Sequence, residues 1–315
     1  MNGVKSNTAT GTTGTASSSV RGRFAPSPTG LLHQGSLYTA LGSWLSARAQ
    51  GGQWLVRIED IDQGRANPAF SGHILQTLEA FALHWDGPVV YQSQRLALYE
   101  AALNRLTIRG LVYPCSCSRR DLPAAHTPLA EPFYPGTCRE GPQHPERACA
   151  LRVRVPDRIL RVYDSEQGWH SENLAERGGD FTLRRRDGFY AYPLAVVVDD
   201  AEQGITEVVR GLDLWPQTVR QRWLQQALGF QVPHYSHLPL VVEPDGQKLS
   251  KSQRSIPVNP AQAPHHLAQA LTALGLNPPH SLQQSSPHEM LQWALEHWAL
   301  RPRLPASIPA WPTPP

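Results

Sequence analysis

The chain has 315 residues, of which 40% are apolar and nine are Trp, enough for a sizeable core in one or two domains. Its 29 basic and 26 acidic residues give a net charge of +3, which neither identifies a nucleic-acid partner nor opposes one. No apolar run reaches the roughly 18 residues that a membrane-spanning helix needs, so no membrane partner is expected.

The amino-terminal residues 1–20 are rich in Ser, Thr, Gly and Ala and lack the apolar centre of a secretory signal. This composition predicts a disordered extension and a cytoplasmic location.

The first predicted unit begins at Arg23. A short strand, a loop broken by Pro26 and Pro28, and a long helix are predicted. Such a loop directs backbone N–H groups and the positive end of the helix dipole towards one point, which suits a phosphate. His33 and Gly35 lie at that point. Taken alone, the four residues from His33 favour the plainer interpretation of a solvated histidine at a turn.

Strands and helices then alternate. Apolar runs predict strands over 53–60 and 89–91, and helical periodicity predicts helices over 68–83 and 94–109. This alternation indicates parallel βαβ units and an α/β fold with a doubly wound parallel sheet. Ligands of such sheets bind outside the carboxyl ends of the strands, so we expect Glu59 and the first loop to share one rim.

A loop-rich stretch with many Pro residues, 111–150, interrupts this rhythm and holds all the cysteines: Cys115, Cys117, Cys138 and Cys149. Without a signal peptide, such a cluster indicates a metal site before a disulfide framework. Cys115, Cys117 and Cys138 can surround a tetrahedral Zn²⁺, although buried free thiols are the plainer alternative. The spacing leaves the fourth ligand open among Tyr134, Cys149, His126 and His144.

The pattern resumes at residue 150. Asp187-Gly188 is a strong hairpin signal between two apolar segments, 181–186 and 189–198. The other predicted elements are strands over 150–155 and 205–210, a helix over 213–228, and short helices over 261–274 and 287–298. The last fifteen residues contain six Pro, which predicts an unstructured end.

A basic motif, Lys248-Leu-Ser-Lys-Ser252, follows the turn signal Pro244-Asp-Gly246. Its two lysines can close over a triphosphate and stabilise charge on a leaving pyrophosphate. Alone, the motif would be a solvated turn. Together with His33 it indicates a nucleotide site, with Lys251 as the catalytic cation and Lys248 assisting.

Four side chains suit an acidic amino acid as substrate. The guanidinium groups of Arg23 and Arg210 can pair with carboxylates, and the phenol of Tyr192 adds one directed donor. Glu59 suits an ammonium group. Each has a duller explanation in isolation, and only their expected positions at strand ends and motif loops favour a shared site.

Two of these motifs together are specific. The string from Arg23 to Gly30, followed by His33-Gln-Gly-Ser36, resembles the first signature of the class I glutamyl- and glutaminyl-tRNA synthetases, and Lys248 to Ser252 resembles their second. The resemblance covers about residues 20–256. The first signature lacks its usual second histidine, so charge stabilisation would depend more on the remaining histidine and the lysines. Leu249 replaces a methionine.

The chain is short for a glutamyl-tRNA synthetase, and its length resembles the glutamyl-Q tRNA(Asp) synthetases, truncated paralogues without an anticodon-binding domain. The resemblance implies a ligase of the aminoacyl-tRNA synthetase type that activates L-glutamate with ATP and Mg²⁺ without needing tRNA. It would then transfer glutamate to the queuosine base in the anticodon loop of tRNA(Asp). A Rossmann-like class I catalytic domain with a zinc-binding insertion and a small C-terminal helical part is implied, acting as a monomer.

Carried over by position, the resemblance implies a glutamate site of Arg23, Phe24, Ala25, Pro26, Ser27, Glu59, Tyr192 and Arg210, with Glu59 at the ammonium group. It implies ATP binding by His33, Gly35 and Lys251, and catalysis by His33, Lys248 and Lys251. It implies one structural zinc held by Cys115, Cys117, Tyr134 and Cys138. The expected parts are a disordered extension (1–20), the first catalytic half (21–110), the zinc-binding insertion (111–150), the second catalytic half (151–256), C-terminal helices (257–300) and a proline-rich tail (301–315).

Other functions fit part of the pattern. A short synthetase that charges a tRNA 3′ end would carry the same motifs, and only chain length argues against it. A non-catalytic tRNA-binding descendant is disfavoured by the intact His33, Lys248 and Lys251, and a small-molecule nucleotidyltransferase would leave the paired arginines unexplained. For RNA contacts, the basic run 184–186 and the C-terminal helices are candidates, with an ordinary solvated face equally favoured.

Overall fold

The structure is a computed structural model that describes residues 19–122, 133–242, 257–305 and 307–310. Its helices are α1 (Gln34–Ala49), α2 (Pro68–Ala80), α3 (Leu96–Ile108), α4 (Leu174–Arg177), α5 (Tyr192–Glu202), α6 (Trp215–Leu228), α7 (Ala263–Ala273) and α8 (Pro287–His297). Its strands are β1 (Arg21–Phe24), β2 (Gln53–Ile58), β3 (Val90–Tyr91), β4 (Val112–Cys115), β5 (Ala150–Val153), β6 (Ile159–Asp164), β7 (Gly168–Asn173), β8 (Phe181–Arg184), β9 (Glu207–Gly211), β10 (His234–Leu238), β11 (Leu240–Val242) and β12 (Ser307–Pro309).

Two parallel sheets meet at the centre of the molecule. Strands β1, β2 and β3 are parallel, as are β9, β10 and β6, with β7 antiparallel at the outer edge. The backbone N–H of Thr206, just before β9, donates to the carbonyl of Arg21 at 3.0 Å, so β9 lies beside β1. The spatial order is therefore β3-β2-β1-β9-β10-β6-β7, and the predicted α/β fold with parallel strands is confirmed.

Helix α1 covers the first of these sheets. Leu37, Leu41 and Leu45 repeat at helical spacing and are completely buried, each stabilising the fold by roughly 1.5–3 kcal/mol. Trp54 of β2 is also fully buried, and its indole N–H donates to the hydroxyl of Ser43 in α1 at 2.9 Å. This packing fixes the middle of α1 against the start of β2.

Most predicted elements are confirmed with small shifts of their ends. Helix α6 ends at Gly229, whose φ of 69° is the left-handed conformation that favours glycine at a helix end. Helices α7 and α8 lie where helical periodicity predicts them. None of the helices in the described ranges combines the length and apolar character that a membrane crossing requires.

The predicted hairpin partner over 189–198 is wrong. The turn at Asp187-Gly188 is present, and a single bridge joins Arg184 to Tyr190, but the chain then enters α5. The residues 194–198 are buried on every side, so the segment lacks the alternation that separates a strand from a helix. Pro193 occupies the first helical turn, where its missing N–H costs nothing.

The predicted unstructured end is also wrong in part. Strand β12 pairs in parallel with β11, with Ile308 buried opposite Val241. Proline is tolerated here because it ends the short edge strand, where its missing N–H does not break the ladder.

Candidate active site

A cavity of about 420 Å³ opens at the carboxyl ends of β1 and β9, where the two parallel sheets meet. Ligands bind at this kind of junction in open α/β sheets. Its lining includes every described residue predicted to bind glutamate or ATP: Arg23, Phe24, Ala25, Pro26, Ser27, Glu59, Tyr192 and Arg210 for glutamate, and His33 and Gly35 for ATP. The structure therefore brings these residues together, while their individual roles stay predictions.

The proline-broken loop is held in place by its backbone. The N–H of Glu59, directly after β2, donates to the carbonyl of Pro26 at 2.9 Å, and the N–H of Asn67 donates to the carbonyl of Pro28 at 3.0 Å. Prolines donate no backbone hydrogen bond, so these carbonyls supply the anchoring. The loop consequently forms one wall of the cavity beside the end of β2.

Buried ion pairs set the charge behind this wall. Asp200 of α5 accepts from Nε of Arg23 at 3.1 Å and from Nη1 of Arg57 at 2.8 Å. Although burial alone would raise it, the two guanidinium groups hold the pKa of Asp200 below its usual range. Asp200 therefore holds one edge of the Arg23 guanidinium group in the interior. Arg23 also lines the cavity.

Glu59 is a nearly buried carboxyl group at the cavity. Its Oε1 lies 3.5 Å from Nη2 of Arg57, and among the described residues it accepts no hydrogen bond at that atom. Burial raises the pKa of Glu59 to about 7, despite the opposing effect of Arg57 and Arg23. A cationic group on a ligand would stabilise the charged form of this carboxyl group.

Arg210 of β9 is a buried cation whose hydrogen-bond partners are all neutral groups. It donates to Oε1 of Gln221 at 2.8 Å, to Oγ1 of Thr218 at 2.9 Å and, more weakly, to the hydroxyl of Tyr192 at 3.4 Å. Within the described ranges, no carboxylate forms an ion pair with Arg210. Its guanidinium group lines the cavity with its charge uncompensated, which suits a carboxylate on a ligand.

Sequence reasoning missed His237 and Asp164, which lie behind Arg210. His237 is fully buried, and burial lowers its pKa to about 4, so the ring is neutral. Its Nε2 accepts from Nε of Arg210 at 2.9 Å, and its Nδ1–H donates to Asp164 at 2.6 Å. Neither residue belongs to a motif. The strict alternation of β6 directs Asp164 to the interior, whereas β10 is buried from Tyr235 to Leu238 and gives no such signal for His237.

The predicted nucleotide site lies at the start of α1. His33 is the N-cap of that helix, and its Nδ1 accepts from the backbone N–H of Ser36 at 3.3 Å. A Cβ atom on Gly35 would lie 3.3 Å from the imidazole ring of His33, so a larger residue would displace that ring. Ser36, Tyr38 and Thr39 also line the cavity, although the sequence analysis did not select them.

Lys248 and Lys251 lie outside the described residues. The chain is described up to Val242 of β11 and again from Pro257. Leu240 and Val241 line the cavity, while Pro257 forms a bridge with His33, so both neighbouring segments lie beside the site. The convergence of the lysines with His33 stays a prediction.

A second cluster holds the predicted metal ligands. The sulfur atoms of Cys115, Cys117 and Cys138 all lie within 4.8 Å of one another, and these cysteines are free thiols. The hydroxyl of Tyr134 lies 3.3 Å from the sulfur of Cys115. Three thiols and one phenol supply four donors around one point, which is the ligand number of a structural Zn²⁺ site, and thiolates are the soft ligands that such sites commonly use.

The alternative ligands behave differently. The thiol of Cys149 faces the carbonyl of Arg147 at 3.7 Å, and the ring of His144 lies 3.7 Å from Glu146. Neither belongs to the group of sulfur atoms, and His126 lies outside the described residues. A metal ion therefore fits among Cys115, Cys117, Cys138 and Tyr134, and Cys149 does not belong to this set.

Three comparisons with known proteins bear on this site. The family model of class I tRNA synthetases (E and Q), catalytic domain, matches residues 19–283. A glutamyl-Q tRNA(Asp) synthetase of Pseudomonas fluorescens is 48% identical over 293 residues, covering 92% of this chain and 96% of the relative. One of Neisseria meningitidis serogroup C is 50% identical over 281 residues, covering 88% and 95%.

A solved structure is also similar to this chain. The crystal structure of a glutamate tRNA ligase from Elizabethkingia meningosepticum, in complex with its amino acid, matches with a TM-score of 0.71 and 26% identity. The match covers 87% of this chain and 64% of that longer chain.

Proposed function

We infer that this chain, which belongs to the glutamyl-Q tRNA(Asp) synthetases within the class I tRNA synthetase family, activates glutamate with ATP and transfers it to the queuosine base in the anticodon loop of tRNA(Asp). It is a ligase of the aminoacyl-tRNA synthetase type. Support for the specific acceptor comes from relatives that bear this name and align over nearly their whole length.

The observation that carries the proposal is the charge pattern of the cavity. Arg210 brings a buried positive charge that no described carboxylate neutralises, and Glu59 brings a carboxyl group raised in pKa by burial. Glutamate supplies the complement of both, because it has two carboxylates and one ammonium group. Arg23, Tyr192 and the backbone from Phe24 to Ser27 complete the proposed glutamate site.

For activation, the α-carboxylate of glutamate attacks the α-phosphorus of ATP, and the bond to the pyrophosphate oxygen breaks. The nucleophile is already anionic, so no general base is needed, and catalysis depends on positioning and on electrostatic stabilisation. His33, Gly35 and the amino-terminal end of α1 are proposed to hold ATP, which binds with Mg²⁺. Lys251, assisted by Lys248, is proposed to stabilise charge on the pyrophosphate.

For transfer, a hydroxyl group of the queuosine ring attacks the carbonyl carbon of the glutamyl-adenylate. The new ester bond forms as the bond to AMP breaks. The hydroxyl proton leaves to a phosphate oxygen of the departing AMP or to water, so that the ester and AMP are the products.

A structural zinc ion is proposed at the second cluster, held by Cys115, Cys117, Cys138 and Tyr134. Although burial opposes it, hydrogen bonds from the backbone of Gln143 and Ser116 lower the pKa of Cys138 to about 6, whereas burial and the neighbouring Cys138 raise the pKa of Cys117 to about 12. Zinc would fix a region whose own apolar cluster is small.

The experiment that tests the function has two stages. Glutamate-dependent exchange of pyrophosphate into ATP, measured without tRNA and across several amino acids, is expected for glutamate and absent for the others. Transfer of labelled glutamate is then measured on tRNA(Asp) with and without queuosine. A glutamyl product that persists without queuosine and needs an intact 3′ end would replace this proposal with 3′-end charging.

A further inference from the structure

An exposed surface beside the active site combines aromatic and arginine side chains. Tyr163 of β6 lies directly opposite Trp169 of β7, with ring centres 5.3 Å apart. The two residues are 54% and 73% exposed, and both lie on the outward face of the edge hairpin. A large aromatic pair with this exposure is unusual for a surface that contacts only water.

Arginines surround this pair. Arg161 projects from the same face of β6 two residues before Tyr163, and it forms no ion pair with any described residue. Arg301 lies over the ring of Trp298 at 4.5 Å and pairs with Glu166. Arg303 donates to the backbone carbonyl of the same glutamate at 3.0 Å.

A groove of about 470 Å³ joins these parts, with Tyr163, Trp298, Arg301 and Arg303 in its lining. We call the surface formed by Arg161, Tyr163, Trp169, Arg301 and Arg303 the aromatic–arginine face.

The aromatic–arginine face lies next to the catalytic cavity. The side-chain amide of Gln167, in the turn between β6 and β7, donates to the carbonyl of His237 at 2.9 Å. After β10 the chain continues into β11, where Leu240 and Val241 line the cavity. Burial raises the pKa of Tyr38, which also lines the cavity, and the charges of Arg301 and Glu166 act on that phenol as well. The turn between β6 and β7 therefore lies close to the strand that leads towards the cavity.

We propose that the aromatic–arginine face docks the anticodon loop of the tRNA substrate, with unpaired bases stacked on Trp169 and Tyr163 and phosphates held by the three arginines. This inference rests on the proposed function, because it assigns a surface to the RNA of the transfer step. Unstacked bases of a loop present flat faces to aromatic side chains, whereas a double helix hides them. Arg161 and Arg303 form no ion pair with a described carboxylate, and Arg301 shares its charge with Glu166, so these side chains keep a net positive charge that complements a polyanion.

The other basic candidate is less suited to this role. Arg185 of the run 184–186 pairs with Asp62 at 2.8 Å. Arg186 donates to the backbone carbonyls of Ser116 and Cys117 at 2.9 and 3.0 Å. Arg301 and Arg303 also make contacts within the protein, so the two surfaces differ in the exposed aromatic pair and in Arg161, which forms no ion pair with a described carboxylate.

The test compares Trp169→Ala, Arg161→Ala and Trp169→Phe with the wild-type chain. The probe is the isolated anticodon stem–loop of tRNA(Asp), and its Kd is measured by fluorescence anisotropy. Loss of one stacked base is expected to raise the Kd, and the KM for tRNA(Asp), about tenfold in Trp169→Ala. Trp169→Phe keeps an aromatic face and stays near wild type, while Arg161→Ala loses affinity and flattens the salt dependence.

Two measurements serve as controls. Glutamate-dependent pyrophosphate exchange stays at the wild-type rate in all three variants, since none of these residues lines the cavity. Ile108→Ala removes an apolar side chain that is 86% exposed on α3, away from the aromatic–arginine face, and it leaves the Kd unchanged.

Unchanged Kd and KM in both alanine variants would overturn the docking surface and leave the proposed function standing. A fall in self-association without loss of RNA affinity in Trp169→Ala would also overturn it, in favour of a contact between copies of the chain. If the wild-type chain transfers no glutamate to queuosine-containing tRNA(Asp), the proposed function fails, while the Kd values still decide whether RNA binds here.

Discussion

The Nε2 atom of His237 accepts a hydrogen bond from Nε of Arg210 at 2.9 Å. Because a guanidinium group only donates, this bond requires Nε2 to be unprotonated, and Asp164 fixes that tautomer by accepting from Nδ1. The ring thus connects a buried carboxylate to the arginine proposed to bind glutamate. His237 is a positioning residue, since it does not line the cavity itself.

His237→Phe is expected to raise the KM for glutamate about tenfold, because Arg210 loses an acceptor for a charged donor and its orientation relaxes. The KM for ATP should stay unchanged, and His237→Asn should recover part of the loss. Pyrophosphate exchange over a range of both substrates measures this split. His266→Gln, at another buried histidine away from the cavity, is the matched control. Equal rises in both KM values would assign His237 to the fold alone.

The affinity for glutamate is expected to fall as the pH drops through about 7. Glu59 has a raised pKa in the free protein, so below that value its carboxyl group is protonated and cannot pair with an ammonium group. Each further pH unit should then raise the KM about tenfold, while above pH 7 the KM levels off. The measurement is the KM for glutamate between about pH 5.5 and about pH 8. Glu59→Gln should bind glutamate weakly, and its KM for glutamate should not change with pH. A wild-type KM that does not change with pH would contradict the proposed role of Glu59.

Lys251→Ala is expected to slow glutamate-dependent pyrophosphate exchange by about 10²-fold or more, because the lysine charge that would stabilise the negatively charged leaving pyrophosphate is lost. Lys251→Arg keeps the charge and should recover part of the rate. An alanine variant with an unchanged exchange rate would remove Lys251 from the mechanism.

Cys138→Ser is expected to reduce bound zinc from about one ion per chain to nearly none and to lower the melting temperature by about 5 °C or more. Cys149→Ser is the matched control, because its thiol lies outside the cluster, and it should keep both metal and stability. Elemental analysis and thermal unfolding provide the measurements. Metal loss in Cys149→Ser with retention in Cys138→Ser would contradict the proposed ligand set.

Much of the fold follows from periodicity. The strand, loop and helix around His33 were predictable because Pro26 and Pro28 break the chain, and because α1 repeats apolar residues at helical spacing. The error at 189–198 arose where burial is complete, since a continuous apolar run carries no period. The hairpin of β6 and β7 was not predicted, although Ile159 to Asp164 alternates strictly between exposed and buried residues.

The candidate site was predictable only where a motif or a strand end marked it. Arg23 and Glu59 are adjacent to recognisable breaks in the chain. Asp164 and His237 have no such mark, and their pairing is a property of two strands brought together across 73 positions of sequence. Contacts of this kind depend on strand order, which local pattern does not encode.

The ion pairs of Asp200 with Arg23 and Arg57 join helix α5 to two strands far earlier in the chain, across as many as 177 positions. Removing one partner of such a buried pair typically costs about 3–5 kcal/mol, a large share of what keeps any domain folded. The proposed recognition of the amino acid by Arg23 and the stability of the fold therefore depend on the same charges. Laboratory selection for a different amino acid should consequently accept changes at Ser27 or Tyr192 well before any change at Arg23.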